Sequence, residues 1–326
     1  MSQTKLPLLA IDGGGTKCLV VIADTEGNTL GQGRAGSCNY QGNGLEAAGE
    51  ELTQGIREAL ADWARNAGVS PDYGQIEVDC AVFGIAGLDT DYDRAIISGF
   101  VLESLERLSI RANHIMIEND GFAALSGATA GQPGILVIAG TGSIVFGINE
   151  RGETARAGGW GHIVGDEGSG YWIGKQAVTA ILKSYDGRGR PTGLASLILP
   201  RLGLNNEEDL FNWVYGSDYS VDKLGELSRL VSQAASDGDP EAERILSDAV
   251  QELYTGVSAV VEQLQLKDKP FKIILQGGVL QNDILVRDQL IRKSKEFAPL
   301  VEPDTAKKDP IYGVTAMGLA YLKSRG

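Results

Sequence analysis

LPLLAIDGGGTKCLVVIADTEGNTL, residues 6–30, and PGILVIAGTGSIVFGINERGET, residues 133–154, have one pattern between them. Each is an apolar run, a glycine turn, a second apolar run and a polar turn containing glycine, which is how two antiparallel strands open a meander. Pairing Gly15 with Gly142 and Gly27 with Gly152 gives offsets that differ by two residues, so the chain reads as a duplicated domain. Its 326 residues exceed the usual size of a single core, which fits two domains.

Outward from these meanders the pattern becomes α/β. In LEAAGEELTQGIREALADWARNAG, Leu52, Ile56, Leu60 and Trp63 fall at helical spacing and Gly68 is a stop signal. EVDCAVFGIAG and HIMIEND are short apolar strands suited to burial on both faces, with the helical DRAIISGFVLESLERL between them. GFAALSGATAG reads as a helix ending at Gly131 and Pro133. The lobe boundary is therefore expected near residue 120, giving an N-terminal lobe of 1–119 and a C-terminal lobe of 120–326. Helical segments such as EAERILSDAVQELYTGVSAVVEQLQL form an insertion and a flank of the second lobe. FKIILQGGV then repeats the strand-to-glycine pattern, NDILVRDQLIRKSKEF supplies a helix, and PIYGVTAMGLAYLKS, opening on Pro310, is a last helix that can return to the first lobe.

Composition excludes several functions. A formal charge of −14 opposes a nucleic-acid or anionic-membrane partner, whose phosphates call for Lys and Arg. No stretch approaches the roughly 20 apolar residues of a membrane span and no signal-peptide pattern opens the chain, so a cytoplasmic protein is expected. Cys18, Cys38 and Cys80 lack C-x-x-C spacing and read as small buried hydrophobes. His114 and His162 stand apart from any ligand cluster, so no transition metal is assigned.

Three glycine turns each follow an apolar strand: Asp12-Gly13-Gly14-Gly15-Thr16, Gly140-Thr141-Gly142-Ser143 and Gln276-Gly277-Gly278. Without a Cβ the backbone N–H groups can approach phosphate oxygens. GGGTK is no P-loop, because a strand follows it where that motif needs a helix. Gly31-Gln32-Gly33-Arg34-Ala35-Gly36 matches G-x-G-x-x-G, yet SCNYQGNG cannot open the required helix, and it is read as a decoy. The densest glycine stretch is GGWGHIVGDEGSGYWIG, residues 158–174. Its backbone can fold closely around a small polar ligand, Trp160 offers a face to a sugar's CH surface and Asp166 can accept from hydroxyls.

The order DGGGT, ENDGFAAL, GTGS, GGWGHIVGDEGSGYW and QGGV resembles the N-acetylglucosamine kinase and BadF-type ATPase family, within the superfamily of sugar kinases, actin and heat-shock chaperone ATPases. The resemblance implies two ribonuclease-H-like lobes of actin-like ATPase type, each a mixed sheet flanked by helices, with ATP and sugar in an interlobe cleft. It implies an ATP-dependent kinase of an amino sugar, N-acetylglucosamine or glucosamine, acting at O6. Gly13, Gly14, Gly15, Thr16, Gly140, Thr141, Gly142 and Ser143 would hold the ATP phosphates. Adenosine would lie near Gly277 and Gly278, with Gly313 close by. Asp12, at a strand end beside the first turn, is where Mg²⁺ would be held through water. Asp120 takes the general-base position. Asn39, Asn119, Asp120, Gly159, Trp160, Asp166 and Glu167 would contact the sugar. A homodimer is the assembly the resemblance allows.

Two other function classes stay open at this level. A BadF-type activator ATPase couples hydrolysis to a partner dehydratase through an iron–sulfur cluster and needs paired thiolates at a subunit interface. A sugar-sensing regulator would carry a DNA-binding appendage or basic patch. N-acetylmuramate or glucose could also replace the amino sugar as substrate.

Overall fold

A computed structural model describes residues 4–70, 74–129, 132–304 and 309–325. The chain divides into two compact units, Met1–Gln132 with Lys307–Gly326, and Pro133–Ala306.

The first unit opens with strands β1 (Thr4–Gly13), β2 (Cys18–Ala23) and β3 (Thr29–Ala35), an antiparallel meander. The short helix α1 (Tyr40–Asn43) and the long helix α2 (Leu45–Ala67) follow, and α2 ends at Gly68 in the left-handed conformation. β4 (Ile76–Ile85), α3 (Asp91–Arg107), β5 (Ile110–Ala112), β6 (Ile115–Asn119) and α4 (Asp120–Thr129) complete its continuous part. The strand order is β3-β2-β1-β4-β5, with β6 also pairing β4, and β4 runs parallel to β1. One face of this sheet packs Leu52, Ile56 and Leu60 of α2 and Ile97 and Val101 of α3 against Ile11, Val20 and Phe83.

The second unit repeats this plan. β7 (Gly134–Ala139), β8 (Ser143–Ile148) and β9 (Thr154–Gly158) form the meander. Helices α5 (Gly170–Tyr185), α6 (Leu194–Leu202), α7 (Glu207–Val214), α8 (Val221–Glu226), α9 (Ser228–Ser236) and α10 (Pro240–Gln263) come next. They are followed by β10 (Phe271–Gln276), α11 (Gly278–Asn282), α12 (Ile284–Phe297) and β11 (Val301–Asp304). The order β11-β10-β7-β8-β9, with β10 parallel to β7, is the strand order of the first sheet over again. Its core includes Ile135 and Val137 from the sheet, Ile173 and Ile181 from α5 and Leu253 and Val257 from α10.

The last helix, α13 (Pro310–Lys323), packs on α4, β1 and β4 of the first unit, where Ile311 and Val314 join Leu8, Ala10, Val82 and Ala123. α4 packs on the same sheet, so the division falls at residues 132/133 and not after residue 119 as the sequence suggested. Strand β6 ends at Asn119, but the helix it feeds stays on its own sheet. Gly131, read as that helix's end, lies outside the described residues.

The decoy glycines have a packing role. Residues 29–35 form β3, and a Cβ on Gly33 would sit 2.2 Å from the Gly55 carbonyl oxygen, one on Gly31 2.6 Å from that of Ala59. The glycines let the α2 backbone lie directly on the strand. Gly33→Ala should therefore cost about 1–3 kcal/mol, since the obstacle is backbone and cannot rotate away. Urea unfolding measures this, and an unchanged midpoint would refute the close approach.

Candidate active site

In the first unit three parallel strands end in one row. Gly13 of β1 pairs with Ile85 of β4, and Ile85 pairs with Asn119 of β6. The loops leaving these ends carry the candidate residues, as the carboxyl edge of a parallel sheet generally does. From β1 come Asp12 and the turn Gly13–Thr16, closed by the Gly14 N–H on the Lys17 carbonyl at 2.9 Å; Gly15 and Thr16 are exposed. From β4 come Gly87, Leu88 and Asp89. From β6 come Asn119 and Asp120 at the first turn of α4. The Asn119 side chain accepts from the Gly121 N–H at 2.8 Å and donates to the Leu88 carbonyl at 3.3 Å, tying two of these loops together.

Asp12 is 6% exposed, and its carboxyl is pushed up to about 6 by burial, with Lys17 pulling it down and Asp309 pushing it up. Asp120 is likewise pushed up to about 6, first by burial and then by the charges of Asp12 and Asp89, against the hydrogen bond from the Gly121 N–H. A buried carboxylate and a half-buried one, the second raised by the charge of the first, form a donor set suited to a hydrated divalent cation or to a proton in transit. Among the described residues no group of three or more His, Cys, Asp or Glu forms a metal-binding cluster. The residues therefore fit a metal held through water by Asp12, not a closed protein cage.

Asn39 caps α1. Its Oδ1 accepts from the Gln41 N–H at 3.0 Å, which leaves Nδ2 as a donor. A Cβ on Gly87 would lie 2.9 Å from that Oδ1, so Asn39 belongs to the same cluster.

In the second unit the ends of β7 and β10 are neighbours, with Ile138 paired to Gln276. The turn Gly140–Ser143 and the Gly277–Gly278 step lie side by side: a Cβ on Gly277, at φ +93°, would sit 2.3 Å from the Ala139 carbonyl oxygen. The turn is braced from behind, as Gly170 N–H donates to the Gly140 carbonyl at 2.7 Å and Tyr171 N–H to that of Thr141 at 3.3 Å. Asp222 of α8 accepts from the Thr141 hydroxyl at 3.3 Å.

The segment between β9 and α5 is a run of tight bends, with positive φ at Gly158, Gly159, Gly161, Asp166 and Gly168. This explains its glycines. Asp166, with a side chain and φ +57°, is a strained exception of the kind that concentrates at functional sites. Its Oδ1 accepts from the Ser143 N–H at 3.3 Å, while the Ser143 hydroxyl donates to the Glu167 carbonyl at 2.7 Å. Burial pushes the Asp166 carboxyl up against the opposing pull of that amide and of His162. Gly159 N–H donates to the Ser143 carbonyl at 3.1 Å. Trp160 is 59% exposed and stacks on Arg156, whose guanidinium carbon lies 4.5 Å from the ring centroid.

Asp12, Gly13, Gly14, Gly15, Thr16, Asn39, Asn119 and Asp120 are thus gathered in the first unit, and Gly140, Thr141, Gly142, Ser143, Gly159, Trp160, Asp166, Glu167, Gly277 and Gly278 in the second. Gly313 lies in the first unit. It belongs to α13, where a Cβ would meet the Ala123 carbonyl oxygen at 1.8 Å, and it serves helix packing. Sequence reading missed Asp89, Asp93 and Asp222. Thr90-x-x-Asp93 is a legible capping box, whereas Asp89 and Asp222 had no local signal.

Residues 9–314 match the BadF/BadG/BcrA/BcrD ATPase family. The chain belongs to this family. Within it, the chain is 36% identical to the N-acetylmuramic acid/N-acetylglucosamine kinase of Clostridium acetobutylicum over 308 residues, 94% of this chain and 96% of that one. It is 32% identical to the N-acetyl-D-glucosamine kinase of Dictyostelium discoideum over 320 residues, 97% and 99% of the two chains. A crystal structure from Chromobacterium violaceum, provisionally named an N-acetylglucosamine kinase, superposes with a TM-score of 0.70 at 26% identity, covering 96% of this chain and 98% of that one. The fold is the actin-like ATPase fold, and the repeated strand order agrees with it.

The raised carboxyls carry a pH signature. In the folded protein Asp12 and Asp120 keep protons that the unfolded chain has lost, so their contribution to stability is full below about pH 4 and is lost as pH rises through about 6. Asp120→Asn removes one charge of the pair. It should gain about 1–3 kcal/mol on the parent protein between about pH 4.5 and about pH 7.5, measured by urea unfolding without nucleotide. A gap that does not change with pH would refute burial as the cause.

Proposed function

We propose that the chain is an ATP-dependent kinase of an amino sugar, of the N-acetylglucosamine and glucosamine type, that transfers the γ-phosphoryl group of ATP to O6. The observation that carries this reading is Asp120, a half-buried carboxyl raised to about 6 where it follows Asn119 at the end of β6, within reach of the Asp12 charge. A group with that pKa is ionised at neutral pH and basic enough to take a hydroxyl proton. Family membership and the names of the two relatives support the substrate class.

In this reading Asp120 accepts the proton of the sugar hydroxyl as its oxygen bonds to the γ-phosphorus. The bond from phosphorus to the β,γ-bridging oxygen breaks, and the electron pair leaves with ADP. The amides of Gly13–Thr16 and of Gly140–Ser143 bind phosphate oxygens. Asp12 would hold Mg²⁺ through water, and the ion supplies charge neutralisation on the phosphates. Asn39 offers Nδ2 to a sugar oxygen, Asn119 is a further contact, and Trp160, whose other side is held by Arg156, presents a ring face to the sugar's CH groups. Asp166 and Glu167 accept from sugar hydroxyls, and Gly159 keeps the loop close. Gly277 and Gly278 flank the adenosine.

The family name does not select an iron–sulfur activator here. Cys18, Cys38 and Cys80 are buried at 1%, 0% and 0% exposure, and burial pushes Cys80 up to about 11. No helix among the described residues is long and apolar enough to cross a membrane.

ADP release from MgATP, measured with glucosamine, N-acetylglucosamine, N-acetylmuramate, glucose or no sugar, tests the reading. Sugar-dependent release is expected, and hydrolysis indifferent to sugar would overturn it. Asp120→Asn should lower turnover by about 10²- to 10⁴-fold with ATP and sugar binding retained. In the unsubstituted enzyme kcat/KM should fall as pH drops below about 6, because the protonated carboxyl cannot accept the hydroxyl proton.

A further inference from the structure

Asp93, on the first turn of α3, is 5% exposed and collects more hydrogen bonds than a helix cap needs. A capping box accounts for Thr90 N–H donating to its Oδ2 at 2.7 Å and for Asp93 N–H donating to the Thr90 hydroxyl oxygen at 3.2 Å. The Thr90 hydroxyl adds a donor at 2.6 Å and the Asp89 N–H another at 3.2 Å. From α1, a different element, the Tyr40 hydroxyl and the Gln41 side-chain amide both donate to Oδ1, the latter at 3.3 Å. Gln41 also reaches the Gly87 carbonyl at 3.5 Å. One carboxylate thus joins the loop after β4, which carries Asp89, to the helix whose cap is Asn39. Burial works against its charge, and the hydrogen bonds from Thr90, Tyr40 and Gln41 outweigh it, holding the carboxyl below its usual range.

We infer that Asp93 is a positioning residue for sugar binding: through Tyr40 and Gln41 it straps α1 to the 86–90 loop, so that Asn39 and Asp89 hold a fixed spacing beside Asp120. α1 has only four residues and none of them is fully buried; of these Tyr40 alone packs against the hydrophobic core. The polar strap is what ties α1 to the 86–90 loop. The inference rests on the kinase reading for the word sugar, and on the hydrogen bonds alone for the strap.

Tyr40→Phe removes one hydroxyl and leaves the ring. The expected result is a rise of about 3- to 10-fold in the KM for the sugar, with kcat and the KM for ATP within about twofold, the loss of one charge-assisted hydrogen bond. Asp93→Asn should move the same constant further. Ser104→Ala, which cuts a buried hydrogen bond to Thr53 elsewhere in the first unit, is the control for simple destabilisation and should leave the sugar KM unchanged. Amide hydrogen exchange on the full chain reads the strap without any activity: Tyr40→Phe should speed exchange in residues 40–44 and 86–90 together. Unchanged exchange at 86–90 overturns the strap. Faster exchange there with an unchanged sugar KM overturns its role in sugar binding. Absence of sugar-dependent turnover in the unsubstituted enzyme defeats the kinase reading, and the exchange pattern still decides the strap.

Discussion

The first unit depends on a conflict between burial and charge. Hydrogen-bonded register brings the ends of β1, β4 and β6 level, and this sets Asp12 and Asp120 in a poorly hydrated place where burial raises the proton affinity of both and the charge of Asp12 raises that of Asp120 further. Hydrophobic packing of α2 and α3 on one face of the sheet and of α4 and α13 on the other makes that register rigid. Asp12 is a rung of the β1 ladder and Asp120 directly follows the last rung of β6, so the strand ends hold both in place. A carboxyl that stays basic at neutral pH is the product of that rigidity.

The second unit uses backbone where the first uses charge. Its turn offers amides, its neighbouring glycines admit a close approach, and the bent segment before α5 brings the Asp166 carboxylate onto the Ser143 amide. In that contact a carboxylate oxygen occupies a backbone donor of the turn. Strain at Asp166 and the brace from Gly170 and Tyr171 show the bends to be fixed from both sides.

Much of the fold was legible because it is repeated. Two meanders with matching glycines, the helical spacing of Leu52, Ile56 and Leu60, and the Gly68 stop all correspond to observed elements. The strand status of 29–35 was hidden by its glycines, which look like a turn or a nucleotide motif until α2 is seen lying on them. The extent of the first unit was misjudged at α4 because a helix after a strand end does not announce which sheet it will cover. At the site, Asp12 and Asp120 could be read from strand ends next to glycine or asparagine. Asp89 and Asp222 could not, since their importance comes from approach across 31 and 81 residues of chain, as the Asn119–Leu88 and Thr141–Asp222 bonds show, and no local pattern records that.

The repeat is also unequal in one telling respect. The register that matches Gly15 to Gly142 sets Asp12 opposite Ala139, so the acidic strand end of one copy is apolar in the other. In the second copy the carboxylates that reach the turn, Asp166 and Asp222, come from other segments of the chain. The acid therefore sits on the strand that enters the turn in one half and on segments folded over the turn in the other, so a single substitution can neutralise it at its strand end only in the first.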